Sequence, residues 1–240
     1  MFKQKTLLFL AGVSLLLSAC GTENDILSNQ MPAMGTRVKF LHAVVDGPAV
    51  NVFANDTKLN GTALTYGTAF PAEYSAITPG ATAVRVATVA SGTVTEATVL
   101  TAPFTLEDNK FYTVVATGTA TAPVAFLVND DQTVADPTKN YIRVLNLVTN
   151  GTPVDLAIGG ILTPLTNIPV RGVSEYVAVD PNAAAATYPL QIRNAGLTTL
   201  VTPVLNFNTL NRGRKITLVV RGSVGRTGAQ APTLSTYTVK

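Results

Sequence analysis

One histidine, His42, and one cysteine, Cys20, stand among 240 residues, so side-chain chemistry has few places to start. Nucleophilic catalysis by a Ser–His or Cys–His pair needs an imidazole base, and only His42 could supply one. It lies in the alternating run Val38, Phe40, His42, Val44, where a structural histidine satisfied by its neighbours is expected. A zinc centre needs about four N, O or S ligands, and Asp46 is the one carboxylate near His42. No Gly-x-Ser-x-Gly elbow, His-Glu-x-x-His pair or Walker loop is present. Asp130, Asp131 and Asp136 miss the calcium-loop spacing and read as solvated linker residues. A glycosidase pair of carboxylates can be distant in sequence, but the 14 acidic residues fall mostly in turn-like contexts. The expectation is a protein that is not an enzyme, with no cofactor and no metal.

Cys20 has a different context. Lys3 and Lys5 precede Leu7–Leu17 (LLFLAGVSLLL), an apolar run of 11 residues. That length suits a signal-peptide core of about 7–15 residues and falls short of the ~20 needed to span a bilayer. Leu17-Ser18-Ala19-Cys20, followed by Gly21, resembles the bacterial lipobox. The resemblance implies lipid transfer to the Cys20 thiol, cleavage between Ala19 and Cys20, and acylation of the new amino group. One acyl chain binds a membrane marginally, whereas several anchor stably. The expected plan is a signal peptide over 1–19 and a lipidated tether over 20–35, with outer-membrane delivery on the periplasmic or surface face.

Charge is informative once the signal is removed. The whole chain has 17 Lys and Arg, 14 Asp and Glu and a net +3, with a sequence pI near 9.0. The mature chain carries about +1, divided into −5 over 20–139 and +6 over 140–240. After Asp180 no acidic side chain occurs. Arg212, Arg214, Lys215, Arg221 and Arg226 form a candidate patch for an anionic ligand, such as polysaccharide, lipopolysaccharide or an acidic envelope protein. Nucleic acid is not expected, since an exported, anchored chain lies away from it and no nucleic-acid motif is present.

The elements that position these residues read as strands. A 47% hydrophobic, 13% charged composition with 18 Gly and 14 Pro excludes a coiled coil or charged disordered chain, whose charge would exceed the usual ~25%. Two units repeat at an offset of 104 residues. Arg37–Ala43 returns as Tyr141–Leu147, and Phe111–Gly118 as Lys215–Gly222. Runs of Thr and Val bounded by Gly, Pro, Asn and Asp predict strands near 37–45, 49–54, 70–77, 82–90, 94–101, 110–117 and 123–129. The second unit has them near 141–148, 153–158, 173–179, 188–193, 199–206, 215–221 and 233–239. Ala183–Ala186 is the best helical fragment, and Pro181 and Pro189 confine it to about one turn. The fold expected is all-β: two tandem immunoglobulin-like antiparallel β-sandwich domains, over 36–130 and 141–240, joined by a linker at 131–140.

Phe40-Leu-His-Ala-Val-Val-Asp-Gly-Pro-Ala-Val-Asn-Val-Phe-Ala54, Leu64-Thr-Tyr-Gly-Thr68 and Val84-Arg-Val86 resemble the DUF4397 family. In the second unit Asn146 replaces the histidine and the Tyr-Gly pair is lost. The resemblance implies a β fold and a secreted or lipid-anchored bacterial location, and it brings no catalytic residues. The function expected is a lipid-anchored envelope protein with a binding or structural role. The alternative is a glycan-binding outer-membrane lipoprotein, in which Tyr66, Phe70, Tyr74, Tyr176 and Tyr188 replace the missing Trp as sugar platforms.

Overall fold

The computed structural model describes residues 35–180, 187–208 and 212–239. Ala19, Cys20 and the tether up to residue 34 lie outside them, as does the Ala183–Ala186 fragment. The described residues form sixteen strands: β1 Thr36–Val45, β2 Val50–Ala54, β3 Thr57–Lys58, β4 Ala69–Ile77, β5 Gly80–Thr88, β6 Thr98–Leu106, β7 Phe111–Thr119 and β8 Ala122–Asn129 in the first half. The second half has β9 Asn140–Thr149, β10 Val154–Ile158, β11 Ile161–Leu162, β12 Val177–Val179, β13 Thr187–Asn194, β14 Leu205–Asn208, β15 Lys215–Ser223 and β16 Thr233–Thr238. The one helical element among the described residues is a 3-10 turn at Gly228–Gln230. No described helix is long and apolar enough to cross a membrane.

Each half is a sandwich of two four-stranded sheets. In the first, β4-β1-β7-β8 faces β3-β2-β5-β6; in the second, β12-β9-β15-β16 faces β11-β10-β13-β14. Pairing is antiparallel except at one place per half, where β1 runs parallel to β7 and β9 to β15. Val38, Phe40, Val52, Val84, Val86 and Val114 fill the first core. Ile142, Val144, Leu156, Leu190, Ile192 and Leu218 fill the second.

A third apolar cluster explains why β1 and β9 are buried along nearly their whole length. Successive side chains on a strand point to opposite faces. Val38 and Phe40 thus enter their own core, while Leu41 and Ala43 point outward and meet Leu145, Leu147 and Val219 of the second half, beside Val115 and Val128. The sheets β4-β1-β7-β8 and β12-β9-β15-β16 therefore pack on each other, with β1 approaching β15 and β7 approaching β9. Strands buried on both faces read as continuous apolar runs, as FLHAVV and VLNLV do. The halves form one four-layer unit, and a polar seam runs along the contact between the two middle layers.

Candidate functional site

The only histidine builds a turn. The His42 Nδ1 accepts from the Val44 N–H at 3.3 Å, so Nε2 carries the proton and donates to the Pro48 carbonyl at 3.0 Å. Asp46 takes a left-handed φ of 57° there, and the Gly47 N–H closes onto the Val44 carbonyl at 3.1 Å. Burial pushes the His42 pKa below its ordinary value, and the Pro48 hydrogen bond opposes this only in part. In the second half Asn146 does the same work. Its Oδ1 accepts from the Val148 N–H at 3.2 Å and its Nδ2 donates to the Thr152 carbonyl at 3.2 Å, around an Asn150 with φ 57°.

The seam holds a denser set of charged groups. Arg143 has its Nε on the Thr217 hydroxyl at 2.9 Å, one terminal nitrogen on the Asn129 carbonyl at 2.7 Å and the other on the Asp130 carboxylate. Asp130 also accepts from Tyr74 at 2.7 Å and Thr113 at 2.5 Å. Lys215 bonds Asp131 at 2.5 Å and the Thr133 carbonyl at 3.0 Å, with its ammonium 4.1 Å from the Tyr176 ring centroid. Burial pushes the Asp131 carboxyl up, and the Lys215 and Thr133 hydrogen bonds outweigh it, holding the group at about 2. Solvation does not account for Asp130, whose side chain is 0% exposed, whereas the Asp131 side chain is more than half exposed and is also held by Lys215. The reason is spatial, because their cations lie on strands of the other half.

The seam is pseudo-symmetric. Lys39 and Arg143 are 104 residues apart. Lys39 donates to the Thr238 carbonyl at 3.4 Å and lies 4.6 Å from the Tyr74 ring centroid. Arg143 donates to the Asn129 carbonyl and lies 4.7 Å from the Tyr176 centroid. Each cation thus reaches across to the end of the other half's last strand, β16 or β8. On Lys39's side a groove of about 510 Å³ opens between the halves. A second groove of about 420 Å³ lies beside Asn129, Asp130 and Thr133 on Arg143's side, and an internal void of about 10 Å³ lies beside His42, Val50 and Leu64, room for no more than about one water.

The five basic residues singled out from sequence are not gathered into one cluster. Arg212 and Arg214 are exposed at the start of β15, whereas Arg221 and Arg226 lie at and beyond its other end. Seven residues of strand separate Arg214 from Arg221, roughly 23 Å at ~3.3 Å per residue. Lys215 is buried in the seam. Arg221 packs its guanidinium 5.1 Å from the Tyr66 ring centroid and against Gly67, and Arg226 pairs with Asp46. Two members of the patch therefore clasp the His42 turn and the Tyr66-Gly67 turn of the first half. Tyr66, Phe70, Tyr74, Tyr176 and Tyr188 are all half-buried, with Tyr74 and Tyr176 under the seam cations. Among the described residues no group of three or more His, Cys, Asp or Glu could hold a metal ion.

Sequence reasoning missed Lys39, Arg143, Thr113 and Thr217 as one constellation. The signal was available in the 104-residue offset, which places a cation and a threonine at equivalent positions of both units. Residues 36–157 match the family described as domain of unknown function (DUF4397). The match covers the whole first sandwich and runs through β9 into β10. No curated protein matches the chain.

Proposed function

On the premise that the chain belongs to the DUF4397 family, we propose that it is a lipid-anchored, non-enzymatic envelope protein whose fused sandwiches present a rigid binding or structural surface. The observation that carries this reading is the use made of the interior polar groups. His42, Asp130, Arg143 and Lys215 each hold two or more bonds to their own chain, which locks turns and layers together. Contact with partners is then left to the rims and the seam, as is usual where loops are held by a rigid scaffold. The anchor rests on the sequence, through Leu17–Cys20 behind an 11-residue apolar run.

Detergent phase partition of the full chain expressed in a diderm bacterium tests the anchor. Wild-type chain is expected in the detergent phase and the Cys20→Ala chain in the aqueous phase or as uncleaved precursor. Cleaved Cys20→Ala chain that still enters the detergent phase would overturn it.

A further inference from the structure

A sheet edge offers unpaired backbone groups to any further strand, and natural edges are blunted by charge, proline, brevity or a bulge. Here β4 has Pro71, Glu73 and a register shift, and β6 has Pro103 near its centre. The edges β3, β11, β12 and β14 are short. β8 is not blunted: its sequence APVAFLVN has no charged side chain, and its one proline is the second residue. The outward groups of β8 follow from its pairing. The Asp130 N–H donates to the Phe111 carbonyl at 2.8 Å, and Tyr112 stands opposite Asn129. Even-numbered residues of β8 therefore bond to β7, and Pro123, Ala125, Leu127 and Asn129 face out. Among the described residues no hydrogen bond engages the backbone of Ala125 or Leu127 on that side. The two ends of the edge lack complementary groups. Pro123 has no N–H to give, and the Asn129 carbonyl is already taken by Arg143 at 2.7 Å.

We propose that two copies of the chain pair through β8, antiparallel about a two-fold axis at Phe126, joining their β4-β1-β7-β8 sheets into one. In that register Ala125 exchanges both backbone bonds with Leu127 of the second copy, and the Asn129 N–H donates to the Pro123 carbonyl of the second copy. The donor that Pro123 lacks falls opposite the carbonyl that Arg143 holds, so no group is stranded. A slip of two residues loses this match. One direction sets Pro123 against the free Leu127 carbonyl, and the other sets the Ala125 N–H against the occupied Asn129 carbonyl. Phe126 meets its own copy at a non-hydrogen-bonded pair, where side chains lie closest. Val124, Ala125, Phe126 and Leu127 are half-buried in the single chain, and a strand laid alongside completes their burial. The flanks suit a like copy. β6 lies on one side of β8 and residues 173–179 on the other, with Glu175 their only charge, so two such faces meet with little repulsion. β16 has the same backbone pattern, its Thr238 carbonyl being held by Lys39, but its TLSTYT side chains bring less apolar surface. Self-pairing goes beyond the binding reading above and does not depend on the anchor.

In the full Cys20→Ala chain an introduced cysteine is the only thiol, which allows the register to be read by disulfide formation with oxidised glutathione. Opposed Cα atoms at a non-hydrogen-bonded pair are ~4.5 Å apart, within the ~4.4–6.8 Å that a disulfide spans. Phe126→Cys is therefore expected to give a covalent dimer. Val124→Cys should give about ten-fold less or none, because that position and its copy stand roughly 13 Å apart along the strands. The second arm leaves Phe126 in place. Ala125→Pro removes an outward N–H without touching the β7 ladder, which an edge strand tolerates. Sedimentation equilibrium in detergent should show a dimer for the Cys20→Ala parent and a monomer for Ala125→Pro, with melting temperatures within a few degrees. A monomeric parent at tens of micromolar, a dimer that survives Ala125→Pro, or equal cross-linking at 124 and 126 would overturn the proposal. Pairing through β16 would appear as a dimer without the Phe126→Cys cross-link, and would overturn it too. None of these results bears on the partition assay for the anchor, so the two readings fall separately.

Discussion

His42 and Asn146 perform one task with different chemistry, and that equivalence fixes what each substitution should do. Both accept from a backbone N–H two residues on and donate to the carbonyl that closes the turn. His42→Ala strands both backbone groups in a buried site, a loss of about 1–3 kcal/mol. His42→Asn should cost clearly less, because the second half folds with that residue. The two also differ in pH response. Burial lowers the His42 pKa from 6.5, so the unfolded chain binds the proton more readily than the folded one. Stability from the neutral ring is full above about pH 6.5 and is lost as pH falls through the lowered folded value. Urea midpoints measured from pH 7 to pH 5 should decline more steeply in wild type than in His42→Asn. Parallel declines would show that protonating the His42 ring costs the fold nothing. A structural histidine was readable from the alternation around residue 42. The buried Asp130 was not, because nothing local to Asn129-Asp130-Asp131 reveals that Arg143 will lie against it.

Glycine positions show how far the elements themselves could be read. Gly118 near the end of β7 and Gly222 near the end of β15 are 104 residues apart, with φ of 92° and 123°. A Cβ on either would meet a backbone carbonyl oxygen at 2.4 Å, from Ala122 and Ala231. Gly118→Ala should therefore cost roughly 2 kcal/mol or more, the combined effect of a positive φ and a contact that backbone must relieve. Gly61→Ala meets nothing within 4 Å and should stay within about 0.5 kcal/mol of wild type. Equal melting temperatures for the two variants would remove the argument. Strands carried by long Val and Thr runs were readable nearly to the residue, as in β1, β7, β9 and β15. Those near prolines were not. A strand was expected at 94–101, yet β6 runs Thr98–Leu106 through Pro103, which an edge strand tolerates because it need not donate on its outer side. The strand expected at 199–206 shrinks to β14, Leu205–Asn208, with a single bridge at Leu200 before it. The two-residue strands β3 and β11 are too short to carry any period.

Fusion of the halves is the property of the whole molecule that composition could not reveal. The run Val144–Val148 predicts a strand but not what covers each of its faces, and the outward one can be covered by a helix, a loop or another sheet. Here it is covered by β7 of the first half, through Leu145 and Leu147, and the polar stretch expected as a linker closes the seam through Asp131 and Gln132. Two sandwiches sharing a third apolar cluster and a buried ion pair should not unfold as independent beads. Calorimetry on the full chain is expected to give one transition, with calorimetric and van't Hoff enthalpies agreeing. Arg143→Leu leaves the Asp130 carboxylate buried without its cation, a loss of about 3–5 kcal/mol. Because Asp130 belongs to the first half and Arg143 to the second, that loss falls on the seam and should split the transition in two. Adding Asp130→Val removes the stranded charge, though it also takes the acceptor from the Tyr74 and Thr113 hydroxyls, and should restore part of the stability and the single transition. Two resolved transitions in the wild-type chain would show that the seam does not couple the halves. A double variant no better than Arg143→Leu would show that the pair does not act as a unit.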